Sequence, residues 1–148
     1  MKETAVPIPL HAWQDPQGDV VLKQSQLGCC IYFGCWADAG EPADYICELR
    51  FDQAWAIRGI CSEYLPYQHG EGHSRSDIYK IENSIWLKQA SEQRAKSYPN
   101  WRNRDKSSYH HYVVEGHDYY YEIIAAGYTE RQIPYAEAGE LKRLVDEA

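Results

Sequence analysis

Phenylalanine and methionine are scarce in this chain of 148 residues: two and one, against thirteen tyrosines and five tryptophans. Most of its rings therefore carry a polar tip, which suits half-buried sheet faces and interfaces better than a dry core. Long apolar runs are missing as well. No stretch approaches the roughly 20 apolar residues that span a bilayer as a helix. The only apolar run near the start is interrupted by Pro7 and Pro9, so no export signal is expected. The five cysteines, at 29, 30, 35, 47 and 61, are odd in number and include no C-x-x-C pair. They read as reduced thiols of a cytoplasmic protein, with Cys29, Cys30 and Cys35 as small buried hydrophobes. There is no G-x-G-x-x-G, no G-x-x-x-x-G-K and no G-x-S-x-G. Dinucleotide cradles, phosphate loops and nucleophile elbows thus have no support in the sequence. No cofactor is expected.

What is present is an ordinary globular composition. Hydrophobic residues make up 44% and charged residues 25%, with a net charge of −7 and a pI near 5.3. Residues 1–148 are expected to form a single domain, long enough to bury roughly 70% of its unfolded surface. The acidity disfavours attraction to nucleic acid or to an anionic membrane and suits a basic partner.

Hydrophobic periodicity supplies the elements. The N-terminal segment 4–10 reads as an extended edge, residues 15–18 as a turn and 19–23 as a short strand. Residues 28–37 read as a further strand. From 44 to 61, odd-numbered Tyr45, Cys47, Leu49, Phe51, Trp55, Ile57 and Cys61 alternate with polar or even-face residues. This period of two predicts a hairpin with a three-residue loop at 52–54, which sets Glu48 opposite Arg58. Residues 65–77 read as a loop, and 78–81 as a strand. Asn83 or Ser84 caps a helix from about 84 to 97, which Pro99 stops. The segment 100–109 reads as a basic loop. A second hairpin covers 109–128, turning at 115–118, and Leu141, Leu144 and Val145 mark a short C-terminal helix. The predicted class is α+β: a mainly antiparallel sheet of hairpins, with one central helix and a short C-terminal helix packed on it.

Several constellations are candidates for chemistry. His69, His73, His111 and His117 are the possible metal ligands, since a divalent site needs three or four converging donors. The H-x-x-x-H of 69–73 lies in a loop with two glycines, so its geometry is not preset. Cys61 could be paired with His69 or His111, although its place on the apolar face points to burial. Glu115 with Asp118, and Glu63 with Glu71, are the carboxylate pairs to consider. Arg94, Lys96, Arg102, Arg104 and Lys106, with Tyr98 and Trp101 among them, form a basic aromatic stretch of the kind that tracks single-stranded nucleic acid. The acidic chain as a whole argues against that use. In Tyr119-Tyr120-Tyr121 the middle ring faces away from its neighbours. Trp101 and Tyr120 are therefore the candidates for a protein-binding surface, with Tyr120 equally placed to pack inside.

The strings LRFDQAWAIR (49–58), YKIENSIWL (79–87) and HHYVVEGHDYYYEIIA (110–125) resemble a group of small uncharacterised bacterial single-domain proteins. Size, acidity and aromatic content also resemble immunity proteins, which bind and neutralise a cognate toxin. The resemblance transfers no functional residues. The negative charge, the polar-tipped rings and the absence of a catalytic motif point to a non-catalytic protein-binding domain with a protein partner, and the resemblance implies the immunity type; the chain is expected as monomer or homodimer. Neither a membrane nor nucleic acid is expected as partner. The alternative is a small metal-dependent or histidine-using enzyme, which requires the 65–77 loop to fold back onto the second hairpin.

Overall fold

The computed structural model describes residues 1–26 and 28–148. Its first half holds β1 (Thr4–Pro7), β2 (Trp13–Gln14), β3 (Val21–Ser25), β4 (Gly28–Asp38), β5 (Glu41–Asp52), β6 (Ala56–Ile60) and β7 (Gln68–His69). The second half holds β8 (Ile78–Glu82), α1 (Ile85–Ser97), α2 (Trp101–Arg104), β9 (His110–Glu115), β10 (Tyr120–Ala125), β11 (Gly127–Pro134), α3 (Tyr135–Ala138) and α4 (Glu140–Glu147). The strands form two sheets. One runs β6-β10-β9-β8-β1-β7; the other runs β11-β5-β4-β2, with β3 also on β4. Pairing is antiparallel except between β1 and β7. The chain is an α+β protein, as its periodicity predicts.

Alternation decides how the sheets stack. Cys29, Ile31, Phe33 and Cys35 of β4 and Cys47, Leu49 and Phe51 of β5 face Ile78, Tyr112, Val114, Ile123 and Ala125 of the other sheet in the main core. The opposite face of β4 and β5 carries Cys30, Tyr32 and Ile46, which are closed over by Ala138 and Val145 of the C-terminal helices. On the far face of the six-stranded sheet, Ala5, Ile81, Val113 and Tyr120 form a third cluster with Leu65 and Tyr67. Each sheet thus carries a buried cluster on both faces. Among the described residues no helix is long and apolar enough to cross a membrane.

The hairpin predicted over 44–61 does not form. β5 lies between β4 and β11, whereas β6 pairs with β10 in the other sheet. Gln53, with φ 51°, takes the left-handed conformation where the chain leaves one sheet for the other. Both runs keep their alternation, but each meets its charge partner elsewhere: Arg58 opposes Glu122, and Glu48 opposes Arg131. The N-terminal strand is shorter than predicted and lies inside its sheet, between β8 and β7, rather than at an edge. Residues 127–134, without a predicted strand beyond Tyr128, form β11, and the supposed basic loop contains α2. Cys61, expected to be buried, is exposed, while the other four cysteines are buried. The helix start and the second hairpin agree with their predictions: Ser84 caps α1, and β9 pairs with β10.

Candidate functional site

Two regions hold the side chains capable of chemistry or recognition, and both involve α1. The first lies beneath its N-terminus. Asn83, with φ 58°, turns the chain after β8, and Ser84 Oγ then accepts the Leu87 N–H at 3.0 Å. The same Oγ lies 2.6 Å from His111 Nδ1 on β9, and His111 Nε2 lies 2.8 Å from Glu122 Oε1 on β10. Arg58 Nε of β6 donates to Glu122 Oε2 at 2.5 Å, and the Tyr67 hydroxyl donates to Oε1. Trp86 roofs the cluster. Its ring lies edge-on to His111 at 5.0 Å, and the Arg58 guanidinium stacks 4.1 Å from its centroid.

A serine, a histidine and a carboxylate in one chain of hydrogen bonds invite comparison with nucleophilic catalysis. The valences point to a structural clamp instead. With the imidazole proton on Nε2, that N–H donates to Glu122 while Nδ1 accepts from the Ser84 hydroxyl. Ser84 Oγ is then occupied as donor and as cap acceptor. His111 and Glu122 are both 0% exposed. Burial pushes the Glu122 carboxyl up, but the hydrogen bonds from His111, Arg58 and Tyr67 outweigh it and hold Glu122 below its ordinary value. One carboxylate thus joins β6, β9, β10, the 65–67 segment and the cap of α1.

The four candidate imidazoles do not converge. His111 is committed to this clamp. His69 is exposed on β7 with its ring 6.1 Å from Tyr79, and His73 is exposed in the following loop. His117 pairs with its neighbour Asp118 at 2.9 Å, in the turn between β9 and β10. Among the described residues, no three histidines, cysteines or acids are grouped to hold a metal ion. Of the candidate carboxylates, Asp118 is the partner of His117. Glu115, on β9 beside β8, is pushed up to about 7 by burial and by nearby Asp77.

The second region lies at the other end of α1 and is open. Arg94, Ser97, Tyr98, Asn100, Trp101 and Arg104 line a groove of about 590 Å³ that Asp105 completes. Arg94 lies 4.4 Å from the Trp101 ring centroid and 4.8 Å from that of Trp55; Arg102 lies 4.1 Å from Trp101. Asp105 closes one side. It takes hydrogen bonds from the Tyr109 hydroxyl and Ser107 N–H, and sits 3.4 Å from Arg94 Nη1. The Tyr109 bond leads these in holding Asp105 below its ordinary value, so it stays an anion. Tyr98 is 68% exposed. Of the two candidates for a protein-binding surface, Trp101 lines this groove. Tyr120 does not belong to a surface: it is 2% exposed, packed on the far face of its sheet.

The sequence motifs named Arg58, Ser84, Trp86 and His111 but missed Glu122 and Tyr67. A legible signal for Glu122 existed: a lone acid between Tyr121 and Ile123, inside a run otherwise fit for burial on both faces. No protein-family model matches the chain, and neither a curated protein nor a solved structure matches it.

Proposed function

We propose that this chain is a non-catalytic protein-binding domain that engages its partner through the arginine–tryptophan groove at the end of α1. The observation that carries the reading is the exposed Tyr98 beside Trp101, Arg94 and Arg102. Trp, Tyr and Arg are the residues enriched where binding energy concentrates. Stacking restrains the rings and guanidinium groups before a partner arrives, which lowers the entropy lost on association. The clamp beneath α1 supports the same reading, because His111 and Glu122 are buried and the Ser84 hydroxyl is engaged by both His111 and the Leu87 N–H. The specific form of the proposal is an immunity-type inhibitor of a bacterial toxin, in keeping with the small acidic chain.

The test is affinity capture from host lysate with the whole protein and with Trp101→Ala as bait. Unchanged thermal melting and circular dichroism must accompany the variant. A protein retained by the wild type and lost by Trp101→Ala supports the domain as a binder through this groove. Equal capture by both baits, or none by either, overturns it. For the immunity form, the retained protein arrests growth when expressed alone, and co-expression of this chain restores growth.

A further inference from the structure

Charge is distributed unevenly over the molecule. Residues 85–109 hold six basic and two acidic side chains, whereas the other 123 residues hold nine and twenty. A segment of +4 therefore stands on a body of −11. The groove lies within the positive segment. Arg94 and Lys96 also occupy the last turn of α1, where cations suit the helix dipole. Arg102 and Arg104 close the four-residue α2 in the same way, which leaves Lys106 outside any helix end.

The donors in the groove are unevenly used. Arg94 is matched by Asp105, and Arg102 Nη1 donates to Ser107 O at 2.5 Å. Among the described residues, the side chains of Arg104, Asn100, Ser97 and Tyr98 line the same groove without a hydrogen bond or an ion pair. All four can donate, and Arg104 offers the planar fork that matches a carboxylate in bidentate fashion. Asp105 on Arg94 already shows a carboxylate held on this wall.

We propose that the groove is a recognition site for an acidic peptide segment of the partner protein, with Arg104 and Asn100 receiving its carboxylates and Tyr98 packing on its backbone. The inference rests on the protein-binding reading and names the chemistry of what is bound. Charge complementarity selects an anion, and two observations select a short peptide over a nucleic-acid strand. Trp101 already carries two guanidinium groups, so it offers little free face for base stacking. The −11 body repels a long polyanion that extends past the groove.

The test uses the full chain and fluorescence anisotropy of a fluorescein-labelled octa-glutamate peptide. A Gly-Ser peptide of equal length and a labelled oligo-dT strand are the controls. Arg104→Glu and Tyr98→Ser are the variants, both at exposed positions and both checked for unchanged melting. Octa-glutamate is expected to bind at least about tenfold more tightly than the Gly-Ser peptide. Its affinity falls as salt rises through the physiological range, and it falls by about tenfold or more in Arg104→Glu. Equal binding of the two peptides, or of octa-glutamate to wild type and Arg104→Glu, overturns the proposal. So does oligo-dT binding that exceeds octa-glutamate and is lost in Arg104→Glu, or full displacement of octa-glutamate by matched inorganic phosphate. A concentration-dependent dimer in sedimentation, abolished by Arg104→Glu, would give the groove to a second copy instead. Competition separates this inference from its premise. A captured partner that Trp101→Ala loses, but octa-glutamate does not displace, leaves the binding domain standing and removes the acidic segment.

Discussion

Glu122 and Glu48 occupy comparable places in the two sheets and are treated very differently. Each sits in a strand with another strand on either side, opposite an arginine and bonded to a tyrosine hydroxyl. Arg58 and Tyr67 serve Glu122; Arg131 and Tyr32 serve Glu48. The difference lies in what covers them. Trp86 and the cap of α1 lie over the Glu122 cluster, and His111 adds another donor, so the carboxylate is 0% exposed. Glu48 is 9% and Arg131 67% exposed, against 0% for Glu122 and 40% for Arg58, and among the described residues no histidine joins Glu48. Both carboxylates are buried and both arginines reach solvent, but the Glu122 pair is the more fully desolvated of the two. A helix laid across the pair, rather than the pair itself, sets its energetic weight.

The largest effect is therefore expected at Glu122. Glu122→Gln leaves Arg58 facing a neutral amide and cannot satisfy three donors. We expect a loss of about 3–5 kcal/mol and a fall in Tm of roughly 10 °C, measured by thermal and urea unfolding. His111→Phe keeps a ring under Trp86 but strips one donor from Glu122 and the acceptor from the Ser84 hydroxyl. A loss of about 2–3 kcal/mol is expected. A loss below about 0.5 kcal/mol at both positions would mean that the cluster is no fastening.

A third glutamate sharpens the comparison through pH. Glu115 has no cation beside it, and burial with nearby Asp77 raises it from 4.5 to about 7. Its folded form holds the proton more tightly than its unfolded form. Its stabilising contribution is complete below about 4.5 and is lost as pH rises toward 7. Glu122, lowered by its partners, has the opposite sign: its contribution is present at neutral pH and is lost in acid, as pH falls through its depressed value. Glu115→Gln should thus gain about 1–2 kcal/mol at pH 8, discounted for partial exposure, and almost nothing at pH 4. Urea unfolding at the two pH values reads this directly; equal gains at both would contradict it. The smallest effect belongs to Glu48→Gln, at under about 1 kcal/mol, because Arg131 keeps its water. A cost at Glu48 equal to that at Glu122 would undo the argument from coverage.

The extents of β4, β9 and β10, and the Ser84 cap, were legible because they depend on neighbours within a few residues. Period-two alternation and a side chain reaching the N–H three positions on are local physics. The candidate groove was legible in part, as a run of arginines and rings that reads as a basic loop. Its stacking was not, since Trp55 comes from outside that run. The metal and surface candidates were drawn from residue type alone, which carries no information on convergence or burial. His111 and Tyr120 accordingly turned out to be interior.

By itself, then, the sequence determined which residues are extended, which face of each strand is apolar and where α1 begins. Tertiary structure alone decided strand partners. The alternation of 45–51 and 55–61 is the same whether the two strands pair with each other or part at Gln53 into different sheets. A charge on a strand face can be matched by any neighbour of opposite sign. Only the packing of one sheet on the other, with α1 across its back, assigned Arg58 to Glu122 and Arg131 to Glu48. Burial of both sheet faces depends on contacts between residues far apart in the chain, and those contacts select one pairing from several that local pattern allows.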